Sequence, residues 1–321
     1  MAGLLDELGK KLAERWLTLL VLPGALYLAA IIAAATLGHT HPFTAGRLTD
    51  RLDHWTAAAH PRSLTGLTVV LLIAFLLAAA ACGLAAQALG TLTERLWLAA
   101  DWAGWPAPLR RLAAARTHRR RQRWDQATTD FRQAREQAAG ALAQARLTGT
   151  TPPPPTGLAI ARRRLSRIAA ESPERPTWMG DRVNAVAVRL DRELDLDLGI
   201  VWPYLWLTAP DTARSEITAA REALGRATTL AGWGLLYLVA GALWWPGLLV
   251  ALATLVTALR HARTVTDTYA LLVEATVRLH AADLARDLGL DHTGPLTRQT
   301  GSALTSLLRH PGHHQGPGSS P

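Results

Sequence analysis

The chain alternates between long runs with no charged residue and long segments dense in arginine. Three uncharged runs stand out, at 16–38, 63–93 and 227–259, of 23, 31 and 33 residues. A helix needs about 20 mostly apolar residues to cross a bilayer core, so the first two runs each predict one span. The third is too long for one ordinary span and carries Trp244-Trp245-Pro246-Gly247 near its centre. Pro and Gly turn a chain, and paired Trp suits a headgroup boundary. The pattern predicts two short spans, 228–244 and 247–263, joined by a tight hairpin. One long, tilted and kinked helix is the alternative.

Basic residues set the orientation. Lys10, Lys11 and Arg15 precede the first run, and only Arg47, Arg51 and Arg62 separate it from the second. Segment 94–226 holds 22 Arg against 15 Asp plus Glu, and Arg260, Arg263, Arg278, Arg286, Arg298 and Arg309 close the chain. Positive charge collects on the cytoplasmic side. An even number of spans puts all three basic segments there; three spans would leave Arg260 and Arg263 outside. The expected fold class is all-α: an integral membrane protein with four transmembrane helices and a helical cytoplasmic domain. The expected order is an amphipathic cytoplasmic lead-in at 1–15, a first span at 16–38, an outer loop at 39–65 and a second span at 66–92. The Arg-rich cytoplasmic domain follows at 93–226, then spans at 228–244 and 247–263, an amphipathic cytoplasmic helix at 264–290 and an unstructured tail at 291–321. A cleaved signal is the alternative to the first span. Against it, the apolar run exceeds the usual core of a signal, and Asp6, Glu7 and Glu14 stand among the preceding bases.

Composition agrees. The chain has 321 residues, 49% apolar and 18% charged, against about 25% charged in soluble domains. The single cysteine, Cys82, excludes a disulfide scaffold and Cys-rich zinc. Within the second span, Ala78 to Ala81, Gly83, Ala85, Ala86 and Gly90 allow close helix packing in lipid, so this span is expected to be the most enclosed. Gln87 in the same span requires a hydrogen-bond partner or a wet cavity.

Inside the cell, 109–146 reads as one helix containing Arg119, Arg120, Arg121 and Arg123. The tetraproline Pro152–Pro155 makes a stiff linker, and a second basic helix at 158–170 carries Arg162, Arg163, Arg164 and Arg167. The two helices are expected to pair antiparallel. Their arginines suit an anionic partner, whether lipid surface, protein or nucleic acid, or a plain solvated face. Neither a helix-turn-helix, a zinc finger nor an aromatic RNA platform accompanies them, which leaves nucleic acid the least supported partner.

Segment 176–210 is the most distinctive. Thr177 can cap a helix starting near Met179, with Asp181 in its first turn, where negative charge is favoured. Val183, Val186, Ala187 and Leu190 make its apolar stripe. The aromatic stretch at 200–209, broken by Pro203, is too short to span and suits an interfacial element, and Pro210 with Asp211 opens the next helix. Pro176-Thr177-x-x-Gly180-Asp181, then Leu196-Asp197, Trp202-Pro203 and Pro210, resemble a family of uncharacterised bacterial four-span inner-membrane proteins. Its members show P-T-x-x-G-N, then Y-G-L-D, W-P five residues past that Asp and a Pro eight past the Trp. Asp181 replaces the usual Asn, and Leu194-Asp195 replaces Tyr-Gly. The resemblance covers about 35 residues closely and the span layout loosely, with Leu22-Pro23-Gly24 in the first span. It implies the architecture and the bacterial cytoplasmic membrane, and no activity.

Neither a nucleophile elbow, a P-loop, HExxH nor a Rossmann glycine pattern is present, so no enzyme and no cofactor is expected. The four His of the outer loop (His39, His41, His54, His60) lack ligand spacing, and Asp191, Glu193, Asp195 and Asp197 read as a fraying helix end. In the last third, Tyr269, Val273, Val277, Leu284 and Leu288 form a stripe that needs a covering partner. Two functional readings follow. The first is a homo-oligomeric membrane assembly, of channel or pore-effector type, gated by its cytoplasmic helices. The alternative is a membrane-anchored docking protein whose Arg-rich helices hold a protein, anionic lipid or DNA.

Overall fold

In a computed structural model, the residues described are 21–37, 64–151, 154–291 and 293–309. Among them every regular element is helical, with no strand. Nine α-helices follow in order: α1 Leu22–Leu37, α2 Leu64–Leu98, α3 Ala107–Thr148, α4 Thr156–Ile168, α5 Trp178–Leu194, α6 Leu198–Thr208, α7 Asp211–Leu243, α8 Trp245–Asp287 and α9 Arg298–Arg309. Two of them contain stretches long and apolar enough to cross a membrane, Thr68–Leu98 and Trp245–Asp287. The expected lead-in at 1–15, nearly all of the outer loop with its four histidines, Pro152 and Pro153, and the chain from His310 onward lie outside the described residues.

The chain divides into two compact units, one of 1–94 with 223–262, the other of 95–222 with 263–321. In the first unit, helices meet through small residues. Ala34, Ala79, Ala86, Ala231, Ala240, Ala251 and Ala258 are almost wholly buried. Gly24 lies against the Ala79 backbone and Gly232 against that of Ala86. Backbones approach this closely only where no side chain intervenes. Tyr27 donates a hydrogen bond to the Leu236 carbonyl at 3.2 Å and meets Tyr237 edge-on, the ring centroids 5.4 Å apart. The α7–α8 hairpin turns on a single non-helical residue, Trp244, whose carbonyl accepts from the Gly247 amide at 2.9 Å. Gly241 faces Leu248 and Gly234 faces Leu255; equal steps up one helix and down the other define an antiparallel pair.

One expectation is corrected here. The second apolar run is not the most enclosed helix. Its buried positions, Ala79, Ala80, Gly83, Ala86, Gly90 and Thr93, lie along one side, while Val69, Val70, Leu71, Leu72 and Ile73 are exposed. Ala78, Ala81, Ala85 and Ala88 are small but exposed, so small size alone does not bring a neighbour onto every face of the helix. α7 is buried on more sides, at Ala227, Thr228, Ala231, Gly232, Gly234, Ala240 and Gly241.

The second unit has a conventional apolar core. Val186 and Leu190 of α5, Val201 and Leu205 of α6, Val273, Val277 and Leu284 of α8 and Leu304 of α9 are buried together with Leu196. The partner required by the α8 stripe is therefore α5, α6 and α9 of the same chain. Two further expectations change. Pro203 does not break the 200–209 stretch, because α6 is one helix containing it. Proline removes one backbone hydrogen bond there, and burial of Val201 and Leu205 on either side offsets that loss. Nor is 291–321 unstructured throughout, since α9 forms within it. Leu304 and Thr305 dock α9 on the 194–197 corner, so tertiary contact orders a segment whose Gly, Pro and His composition argues against order.

Candidate anion-binding surface

α2 ends at Leu98, and Ala99 takes a left-handed conformation, φ 43°. A helix end leaves carbonyls without partners. Here the Thr177 hydroxyl donates to the Trp97 carbonyl and the Arg175 guanidinium to that of Leu98. The Thr177 hydroxyl also accepts the Gly180 amide at 3.1 Å, capping α5. Gly180 sits so near the Leu98 carbonyl that a Cβ would overlap it. Asp181, 5% exposed, accepts the Glu174 amide at 2.9 Å and the Arg175 amide at 2.7 Å on one oxygen, and the Arg120 guanidinium at 2.7 Å on the other. Pro176, Thr177, Gly180 and Asp181 thus form a joint binding three elements: the end of α2, the start of α5 and the middle of α3.

α3 presents a seam to this joint. Ala113, Thr117, Arg120, Trp124 and Ala127 are its covered positions, at steps of four and three as in a coiled-coil stripe. α4 packs on the outer part of α3, with Arg164 pairing Asp130 at 3.1 Å. The irregular segment 169–176 continues back along α3. Arg120, Arg121 and Arg116 donate to the carbonyls of Ile168, Pro173 and Pro176.

Three sets stand out among the arginines. Arg116, Arg120, Arg121 and Arg175 are spent on backbone carbonyls and Asp181. Arg182, Arg189, Arg192, Arg278 and Arg309 pair with Asp267, Glu274, Glu171, Glu193 and Asp197. Arg119, Arg123, Arg162, Arg163 and Arg167 are exposed and make no ion pair among the described residues. Arg123, Arg163, Arg164 and Arg167 line a cavity of about 710 Å³ beside Gln126, Ile160 and Ile168. Among the described residues no cluster of His, Cys, Asp or Glu is arranged to hold a metal.

The remaining motif residues are structural too. Asp197 caps α6 through the Gly199 and Ile200 amides and pairs with Arg309. Trp202 packs against the core and lies 5.8 Å from the Trp206 ring. Pro210, one residue before α7, accepts the Arg214 amide; Asp211 is the first helical residue and pairs with Arg214. Gln87 lies on an exposed face of α2. Asp195 ends α5 in the left-handed region at φ 53°. Asp195→Gly should stabilise the chain by about 0.5–1 kcal/mol, since glycine adopts this conformation without steric penalty. A thermal unfolding midpoint that fell would contradict that.

No family model, curated protein or solved structure matches this chain. Sequence reasoning missed Trp178, Arg182, Arg189 and Arg263, which gather at one cavity. Arg182 and Arg189 are seven residues apart, two helical turns and hence one face, and that spacing was the available signal.

Proposed function

We propose that this chain is a four-span protein of the bacterial cytoplasmic membrane that holds its α3–α4 hairpin in the cytoplasm as a docking platform for an acidic protein partner. The observation that carries this reading is the set of exposed arginines, Arg119, Arg123, Arg162, Arg163 and Arg167, which the fold does not use. Charge asymmetry along the sequence supports cytoplasmic termini, and the turn at Trp244 supports two spans, 228–244 and 247–263, in place of one long helix. The left-handed Asp195 at a glycine position supports the resemblance to the four-span family. The Gly and Ala contacts of the first unit suit an anchor, since they bring helix backbones together.

A second reading, a self-associating pore, draws on Gln87. An amide on the exposed face of an apolar helix seeks a partner in lipid, and a second copy can supply it. One experiment separates the two. Full-length protein in dye-loaded liposomes should leave the vesicles tight. It should also retain a polyglutamate peptide in a salt-sensitive manner, as an exposed charge surface does. Reversal of Arg119, Arg123, Arg162 and Arg163 to Glu should weaken that retention at least about tenfold. Leaking vesicles, with retention unaffected by the reversals, would move the assignment to the pore.

A further inference from the structure

A second basic cavity, of about 680 Å³, opens between the end of α4, the inner turns of α5 and the part of α8 beginning at Arg263. Arg167, Arg182, Arg189 and Arg263 line it, against a single carboxylate, Asp267. That carboxylate is already held by Arg182. Glu274, which pairs with Arg189 at 2.6 Å, also accepts Arg278 at 3.0 Å. The acids around the cavity are thus engaged, and the guanidinium groups are in excess. Arg167 and Arg263 make no ion pair among the described residues, and the Arg189 Nε is buried without a hydrogen-bond partner. Arg263 is nonetheless held in place, its guanidinium over the Trp178 ring at 5.8 Å from the centroid, a cation–π arrangement that leaves its N–H edge available.

We propose that this cavity binds a phosphoryl group carried on a larger molecule. Several forked donors around one space suit a tetrahedral oxyanion better than a planar carboxylate, because phosphate accepts paired N–H bonds on more than one side. The volume exceeds what a bare phosphate needs and lies within the range of ordinary ligand sites. Two sources offer that chemistry, a phospholipid headgroup and a soluble phosphate ester. The lipid fits the place of Arg263 in the sequence, four residues past Leu259, the last residue of the uncharged run. That choice of source rests on reading the run as a span.

The test uses the full chain in phosphatidylcholine nanodiscs. One arm adds phosphatidylglycerol to the disc and reads retained lipid by native mass spectrometry. The other adds glycerol 3-phosphate in solution and reads tryptophan fluorescence, since Trp178 lines the cavity. Arg167→Gln with Arg263→Gln removes the two guanidinium groups that no acid holds. Arg119→Gln with Arg162→Gln removes equal charge elsewhere. Both pairs are exposed, and matching unfolding midpoints confirm that each variant folds. Wild type and the control pair should hold phosphatidylglycerol at least about tenfold more tightly than the cavity pair. If only glycerol 3-phosphate shows that dependence, the phosphoryl site stands and the ligand is soluble. Equal loss in both variants, or no preference over phosphatidylcholine and no response to glycerol 3-phosphate, overturns the site. A chain that stays soluble without detergent removes the membrane reading while the soluble arm still decides the cavity.

Discussion

Asp181→Ala should destabilise the helical unit by about 3–5 kcal/mol, the range for stripping one partner from a buried ion pair. Arg120, whose side chain is 17% exposed, would face no counter-charge, and the Glu174 and Arg175 amides would lose their acceptor. Hydrogen exchange in the full chain should show the loss at 169–181 and along the facing stretch of α3, as amides exchanging about a hundredfold faster or more. A change below about 1 kcal/mol would mean that the joint does not hold these elements together. Asp181→Asn should be milder, at about 1–2 kcal/mol. The Asn carbonyl still accepts both amides, and only the contact with Arg120 turns unfavourable.

The same residue sets a pH signature. Burial pushes the Asp181 carboxyl above its ordinary value, with the Arg175 amide and Arg120 pulling the other way. Between the ordinary Asp value and the raised one, the folded chain therefore keeps a proton that the unfolded chain has released. Stability falls as pH rises from the ordinary Asp value through the raised one, and is level above it. Glu193 behaves oppositely. The hydrogen bond from Arg278 holds its carboxyl below the ordinary value, so its contribution is present above the ordinary Glu value and is lost as pH falls through the lowered one. In Asp181→Asn the first slope should vanish and the second remain, which denaturation at a series of pH values would read directly.

The residues differ in how far they betray their roles. Thr177 at an N-cap with Asp181 four residues on was legible, because capping is local. So was the turn at Trp244, which Pro and Gly announce within a few residues. The destination of Asp181 was not legible, since Arg120 lies 61 residues away in sequence and no spacing rule reaches that far. The Arg-rich helix misled for a related reason: Arg119, Arg120 and Arg121 look alike in sequence, yet Arg120 faces Asp181, Arg121 binds a carbonyl and Arg119 stays exposed. A step of about 100° per residue separates these fates, and only the packed seam fixes its phase. α9 was hidden by its flanks, although Leu304 and Leu308 sit at helical spacing within it.

Two glycines of α7 should respond to alanine with opposite signs. Around Gly225 nothing lies within 4 Å of where a Cβ would stand. Gly225→Ala should therefore stabilise the chain by about 0.5–1 kcal/mol, the ordinary gain of alanine over glycine inside a helix. At Gly232 the same Cβ would overlap the Ala86 carbonyl and stand 3.0 Å from the Gly90 amide nitrogen. The obstacle is backbone, which cannot rotate away as a side chain can, so α2 and α7 must separate along their stripe of small residues. Gly232→Ala should destabilise by about 2–3 kcal/mol, the upper part of the range for overpacking. Adding Ala86→Gly should give no rescue, because the Ala86 methyl is not what collides. Unfolding midpoints in nanodiscs measure all three. Equal shifts at Gly225 and Gly232, or rescue by Ala86→Gly, would show that the helices do not approach backbone to backbone there. A loss confined to Gly232 would locate the contact that holds the two helices at their spacing.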